Sequence, residues 1–123
     1  MRRAFIYYFI FFLVLSGCSS GAPTNPSAKS ILKEDPQADI FQYNDLIYTN
    51  VSDLEWVQDS QYKKGNKIGK IKKMTTTPIG FKDFYATKLA SGTEVFSTNG
   101  DGVHLLIVEV DGQQLPYIAL IEG

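Results

Sequence analysis

The chain has 123 residues, a formal net charge of -1, one cysteine and one histidine. A chain of that length holds one domain, its charge balance argues against a basic nucleic-acid surface, and a lone cysteine excludes an internal disulfide, thiolate metal sites and dithiol redox chemistry. Any core must therefore be apolar and unstapled, which at this size leaves little surplus stability.

Arg2 and Arg3 open the chain and an unbroken apolar and aromatic run follows over residues 4–14. A positive segment, a short apolar run and then small residues is the order of a secretory signal peptide. The run is too short for a transmembrane helix, which at about 1.5 Å per residue needs about 20 apolar residues to cross the hydrocarbon. Behind it stands Leu15-Ser16-Gly17-Cys18, which resembles the lipobox of bacterial lipoproteins. The resemblance covers residues 1–18. It implies loss of residues 1–17 by cleavage between Gly17 and Cys18, and a thioether joining diacylglycerol to the Cys18 sulfur. The residue types suit that chemistry: a thiol is the best alkylation nucleophile in the chain, and small neighbours let an extended backbone enter a peptidase groove. Two acyl chains anchor stably where one does not, so the membrane, through diacylglyceryl-Cys18, is the first expected partner. Residue 19 is serine, not aspartate. The family's sorting habit then implies the outer membrane in a Gram-negative host; in a Gram-positive host only the outer face of the cell membrane is available. Lysine without arginine after residue 3, among many Ile, Asn and Tyr, favours the Gram-positive setting.

Residues 19–30 carry two prolines and almost nothing to bury. The expected organisation is a signal peptide at 1–17, a lipidated cysteine and flexible tether at 18–30, and a β-rich extracytoplasmic domain at 31–123. Residues 31–35 are ambiguous. Asp35-Pro36 has the form of an N-cap followed by proline at the first helical position, which predicts a short helix through Phe41. Residues 46–49 are rich in strand formers and bounded by Asn44-Asp45 and Asn50, a strand pattern. Ser52 and Glu55 have capping-box spacing, which predicts a helical turn carrying Leu54, Trp56 and Val57, with Trp56 as a core plug. Residues 63–67 read as a turn. Residues 68–73 alternate, and their lysines read as an edge or solvated face.

Residues 75–80 read as a loop. Phe81, Phe84 and Tyr85 follow as an aromatic cluster and are the candidate contact surface, with core packing as the competing role for Phe81 and Phe84. Ser91-Gly92 turns into a strand over 93–97, and Asn99-Gly100-Asp101-Gly102 is a second turn. The end of the chain reads as a hairpin of strands 103–110 and 114–121 around a two-residue type I′ turn at Asp111-Gly112. That turn sets Val110 opposite Gln113, Val108 opposite Leu115, Leu106 opposite Tyr117 and His104 opposite Ala119. Both hairpin faces are apolar in the middle, so cover on both sides is expected. Pro116 falls at a non-hydrogen-bonded pair, which places its strand on the outside or in a bulge there. The segments 69–71, 86–89 and 92–96 look like those of small uncharacterised lipoproteins from Gram-positive bacilli, a resemblance that implies a host and no activity.

Few groups are suited to catalysis. His104 is the only histidine and sits at a sheet position. No serine has a nucleophile-elbow setting and no glycine run matches a phosphate loop. Residues 99–102 offer one carboxylate where a calcium loop needs several, and Asp53, Glu55 and Asp59 read as solvated acids beside a short helix. The expected fold is mainly β (α+β as the alternative): a small antiparallel sheet or partly closed barrel with one or two short helices and a C-terminal hairpin. The expected function is a lipid-anchored extracytoplasmic binding or interaction protein without catalysis, cofactor or metal, its partner an envelope protein or wall polymer and not nucleic acid. The alternatives are an envelope-polymer hydrolase using carboxylates such as Glu94, Asp101 or Glu109, and a purely structural envelope lipoprotein.

Overall fold

A computed structural model of the chain describes residues 25–55, 62–98 and 104–121. The helix α1 (Ala28–Glu34) precedes the strands β1 (Ile40–Tyr43), β2 (Leu46–Asn50), β3 (Lys64–Lys70), β4 (Lys73–Met74), β5 (Tyr85–Ala86), β6 (Glu94–Thr98), β7 (Leu105–Val110) and β8 (Gln113–Ala119). They form one sheet in the order β3-β6-β7-β8-β2-β1-β5-β4. Every neighbouring pair is antiparallel except β4 with β5. The two ends of that order, β3 and β4, are consecutive in the chain. Between them the backbone passes from one edge to the other: the Ile71 N–H donates to the Thr93 carbonyl and the Lys72 N–H to the Phe84 carbonyl, each at 2.8 Å. The sheet therefore curls into an open half-barrel, and the chain is mainly β.

Strand alternation sorts the side chains onto two faces. Phe41, Tyr48, Val95, Leu106, Val108 and Tyr117 pack together on the inner face with Ile71, Ala86 and Leu89. On the outer face, α1 lays Ala28 and Leu32 over Ile40 and Ile47. A second outer cluster joins Phe96, Leu105 and Ile107, with Tyr62 against it. The hairpin strands are thus apolar on both sides because both sides are covered.

The hairpin has the register expected from its turn: Val110 pairs with Gln113, Val108 with Leu115, Leu106 with Tyr117 and Leu105 with Ile118. The Ala119 N–H donates to the His104 carbonyl at 2.9 Å, which continues it. β8 is not an edge strand, since β2 pairs with its other side at residues 117–119. That second ladder ends where Pro116 begins: the Pro116 carbonyl accepts from Val51 N–H at 3.0 Å, and proline has no N–H to return the bond. Asp111 and Gly112 both have positive φ, 51° and 79°. Such a conformation strains a β-branched residue, so Gly112→Val is expected to cost about 1–3 kcal/mol. Gln113→Val, on the adjacent strand position, is expected to be close to neutral. Thermal melts of the two variants check the order; the reverse order would contradict the turn geometry.

Two local expectations are corrected. The helix lies before Asp35, not after it. Ser27 caps α1: its hydroxyl accepts the Ser30 N–H, the Ser30 hydroxyl accepts the Ser27 N–H, and Asp35 is the C-cap. Residues 28–30 therefore belong to the folded domain and not to the tether; Ala28 is only 3% exposed. Residues 40 and 41, expected at the end of a helix, are the start of β1, where Ile40 pairs with Thr49 and Phe41 with both Tyr48 and Ala86. The second correction concerns 63–67. Residues 64–67 are the first half of β3, paired with β6 through two register shifts. Glycine suits this stretch because a Cβ at Gly65 would lie 2.6 Å from the Ser97 hydroxyl oxygen. β3 is an end strand of the sheet, and its exposed lysines guard that edge as expected. Loop 75–80 and the turn at Ser91-Gly92 stand where expected. The signal peptide, Gly17, Cys18, Trp56, Asp59 and the turn at 99–102 lie outside the described residues.

Candidate functional site

The segment from β4 to β5 is built from two tight turns. The Phe81 N–H donates to the Pro78 carbonyl at 3.2 Å with Gly80 at φ 77°, and the Tyr85 N–H donates to the Lys82 carbonyl at 3.0 Å with Phe84 at φ 68°. A positive φ at the third residue alone is the type II pattern, which favours glycine there. Phenylalanine at the second turn is held by its surroundings. Its N–H donates to the Gln42 carbonyl at 2.6 Å. Its ring lies 5.4 Å from that of Tyr43 and close over Gly69, where a Cβ would meet it at 2.5 Å. Asp83 braces the same turn against the β1–β2 connection: its carboxylate accepts the Asn44 N–H at 2.9 Å, the Asp45 N–H at 3.1 Å and the Gln42 amide at 3.1 Å. Burial pushes the Asp83 carboxyl up, but these bonds and the nearby Lys72 outweigh it and hold it below its ordinary range.

The structure divides the expected aromatic contact surface. Phe84 packs against the inner cluster and Phe81 against the outer one under α1. Tyr85 stays half-buried, with the Phe81 ring at 6.1 Å and the Lys73 ammonium 5.8 Å from its own ring. The most exposed large apolar side chain of this segment is instead Ile79, at 85%. It occupies the second position of the first turn. Its chain neighbour Pro78 lines a groove of about 520 Å³ between α1 and the loop. Lys29, Leu32 and Lys33 line it from the helix, Pro36 and Gln37 from the turn after the helix, and Thr76 and Pro78 from the loop. Among the described residues no carboxylate lines it. Sequence reading missed this feature because 27–30 were assigned to the tether. The signals were present: two serines at capping spacing before Ile31-Leu32, and an isoleucine held between Pro78 and Gly80.

The candidate acids are arranged differently. Glu94 of β6 and Glu109 of β7 face each other in register. Lys67 reaches Glu94 at 2.6 Å and Lys64 reaches Glu109 at 2.8 Å, which relieves the like-charge pairing. The Lys67 hydrogen bond and charge, helped by Lys70 and Lys64, hold the Glu94 carboxyl below its ordinary range. Lys64 also lies 4.4 Å over the Phe96 ring. Asp53, Glu55 and His104 are exposed, and Asp101 lies outside the described residues. Among the described residues no cluster of three or more His, Cys, Asp or Glu could hold a metal ion.

A chain of polar side chains reaches the core at Tyr117. The Tyr117 hydroxyl donates to Asp39 at 2.8 Å, the Asn50 side-chain amide donates to the other Asp39 oxygen at 2.9 Å, and the Ser52 hydroxyl donates to Asn50 at 2.6 Å. Tyr117 is fully buried. Burial first, and then the Asp39 bond and charge, push its phenol far above the ordinary tyrosine range; burial and Tyr43 push Tyr48 up as well. The stabilisation tied to a raised pKa is complete below about pH 10, where unfolded tyrosine begins to ionise, and is lost as pH climbs further. An alkaline absorbance titration is therefore expected to leave part of the tyrosinate signal missing until the domain unfolds. Complete titration of a still-folded domain near pH 10 would contradict the burial of these hydroxyls.

No family model, curated protein or solved structure matches the chain.

Proposed function

We propose that this chain is a lipid-anchored extracytoplasmic binding or interaction module, held by diacylglyceryl-Cys18 on the outer face of the cell membrane of a Gram-positive host. The observation that carries the reading is Leu15-Ser16-Gly17-Cys18 behind an apolar run of signal-peptide length, only a few residues before a domain that starts at the Ser27 cap. Two acyl chains and so short a connection hold the domain in a thin shell above the bilayer. There the effective concentration of other envelope components is high, and weak contacts suffice.

Cys18→Ser is expected to abolish incorporation of a labelled fatty acid and to leave the protein as precursor or shed into the medium. Label retained by that variant would overturn the anchor. The partner is sought by crosslinking on intact envelopes, where recovery of an envelope protein or wall polymer is expected. A hydrolytic activity of the purified protein that Glu94→Gln or Glu109→Gln removes would replace the binding reading with an enzymatic one.

A further inference from the structure

We propose that the groove between α1 and the 75–80 loop, together with the exposed Ile79 that follows its lining residue Pro78, is the face that this protein lays against an anionic lipid bilayer. The inference rests on the anchor reading of Cys18 and adds an orientation to it. Ile79 is 85% exposed in a turn closed by the Phe81 N–H on the Pro78 carbonyl. An apolar side chain presented on a closed turn loses little further freedom on insertion. Met74, 55% exposed, lies at the neighbouring end of the sheet on β4. The charge is complementary to such a surface. Lys29 and Lys33 line the groove, and among the described residues no carboxylate joins them in the lining. Among the described residues the ion pairs join Lys64 and Lys67 to glutamates and leave both groove lysines out. The nearest acid of the turn after the helix, Asp35, accepts the Gln37 N–H at 3.0 Å.

Reach supplies the occupant. Seven peptide steps separate Cys18 from Asn25, a span of at most about 25 Å. Asn25 stands just before α1, whose first turn contributes Lys29 to the groove. A lipid on Cys18 therefore keeps the α1 side of the domain close to the headgroups, and that is the side carrying Lys29, Lys33 and the 75–80 loop. Each lysine at an anionic surface contributes about a fivefold shift towards the docked state.

The test uses the full lipidated protein in vesicles. With Cys18 acylated, Ile79→Cys supplies the sole free thiol for an environment-sensitive fluorophore, read against a quencher on the lipid headgroups. Flotation with the vesicles reports the anchor, and quenching reports the face. Strong quenching is expected in vesicles containing phosphatidylglycerol and weak quenching in phosphatidylcholine alone. A label at Gln114→Cys, an exposed position on β8 that β2, β1 and β5 separate from β4, should stay unquenched in both. Adding Lys29→Gln and Lys33→Gln should lower the docked-to-undocked ratio at position 79 by about 25-fold with flotation unchanged. A protein that floats while its position-79 label stays unquenched in anionic vesicles overturns the docking face and leaves the anchor standing. Loss of flotation overturns both. Release of the quenching by soluble poly(glycerol phosphate), with flotation intact, assigns the groove to a phosphate polymer and overturns the bilayer.

Discussion

Phe41→Ala is expected to destabilise the domain by about 3–5 kcal/mol, the range for truncating a buried phenylalanine. Phe41 is fully buried. Its ring is stacked 5.3 Å from Tyr48 at 11° and meets Tyr117 edge-on at 5.1 Å and 61°. Those three rings come from β1, β2 and β8 and fill the middle of the half-barrel. Removing one leaves a cavity that its rigid neighbours cannot close, so the lost transfer energy and the lost contacts add. A single domain has about 5–15 kcal/mol in total, so the variant is expected to unfold early in urea, with its midpoint lowered and its slope kept. A loss below about 1 kcal/mol would mean that the ring is not at the centre of the core.

Thr87→Val should cost about 2–4 kcal/mol although it barely changes the volume. Thr87 is the buried polar residue among the described ones, at 4% exposure. Its hydroxyl accepts the Ile40 N–H at 3.0 Å and donates to the Ala38 carbonyl at 2.6 Å. Valine fills the space and satisfies neither group, so an N–H and a carbonyl lose their partner inside the protein. The loss falls where α1 hands over to β1, so the helix should loosen with it. Thr87→Ser keeps the hydroxyl and is expected to recover most of the stability in the same denaturation series. Equal losses for valine and serine would show that the methyl group matters and the hydrogen bonds do not.

Legibility followed the range of the interactions. The C-terminal hairpin was readable residue by residue because Asp111-Gly112 sets its register locally: a two-residue turn with positive φ at both positions admits one pairing. The edge lysines of β3 and the loop at 75–80 were readable because their composition is the physical device itself. The helix was not. Ser27 to Ser30 holds nothing large and apolar, so by composition it resembles the connection before it. It folds because Ile40 and Ile47 offer Ala28 and Leu32 an outer face to cover, a surface that exists only once β1 and β2 have paired. Asp35-Pro36 carried a valid start signal, but Ile40 and Phe41 are claimed by strand partners at positions 48, 49 and 86. Burial in that sheet outweighs a cap.

The candidate groove shows the same division. Its parts were visible as letters, with Lys29 and Lys33 one turn apart and Ile79 between proline and glycine. Their proximity was not, because it depends on Phe81 packing beneath the helix across about fifty residues of chain. The mainly β class, the hairpin register and the guarded edge are set within a few residues by turn geometry, alternation and charge. The start of the folded domain, the face that the helix covers, and the path by which Ile71 and Lys72 carry the chain from one end of the sheet to the other exist only in the assembled fold. Those features rest on hydrogen bonds and apolar contacts between distant segments, which no local preference encodes.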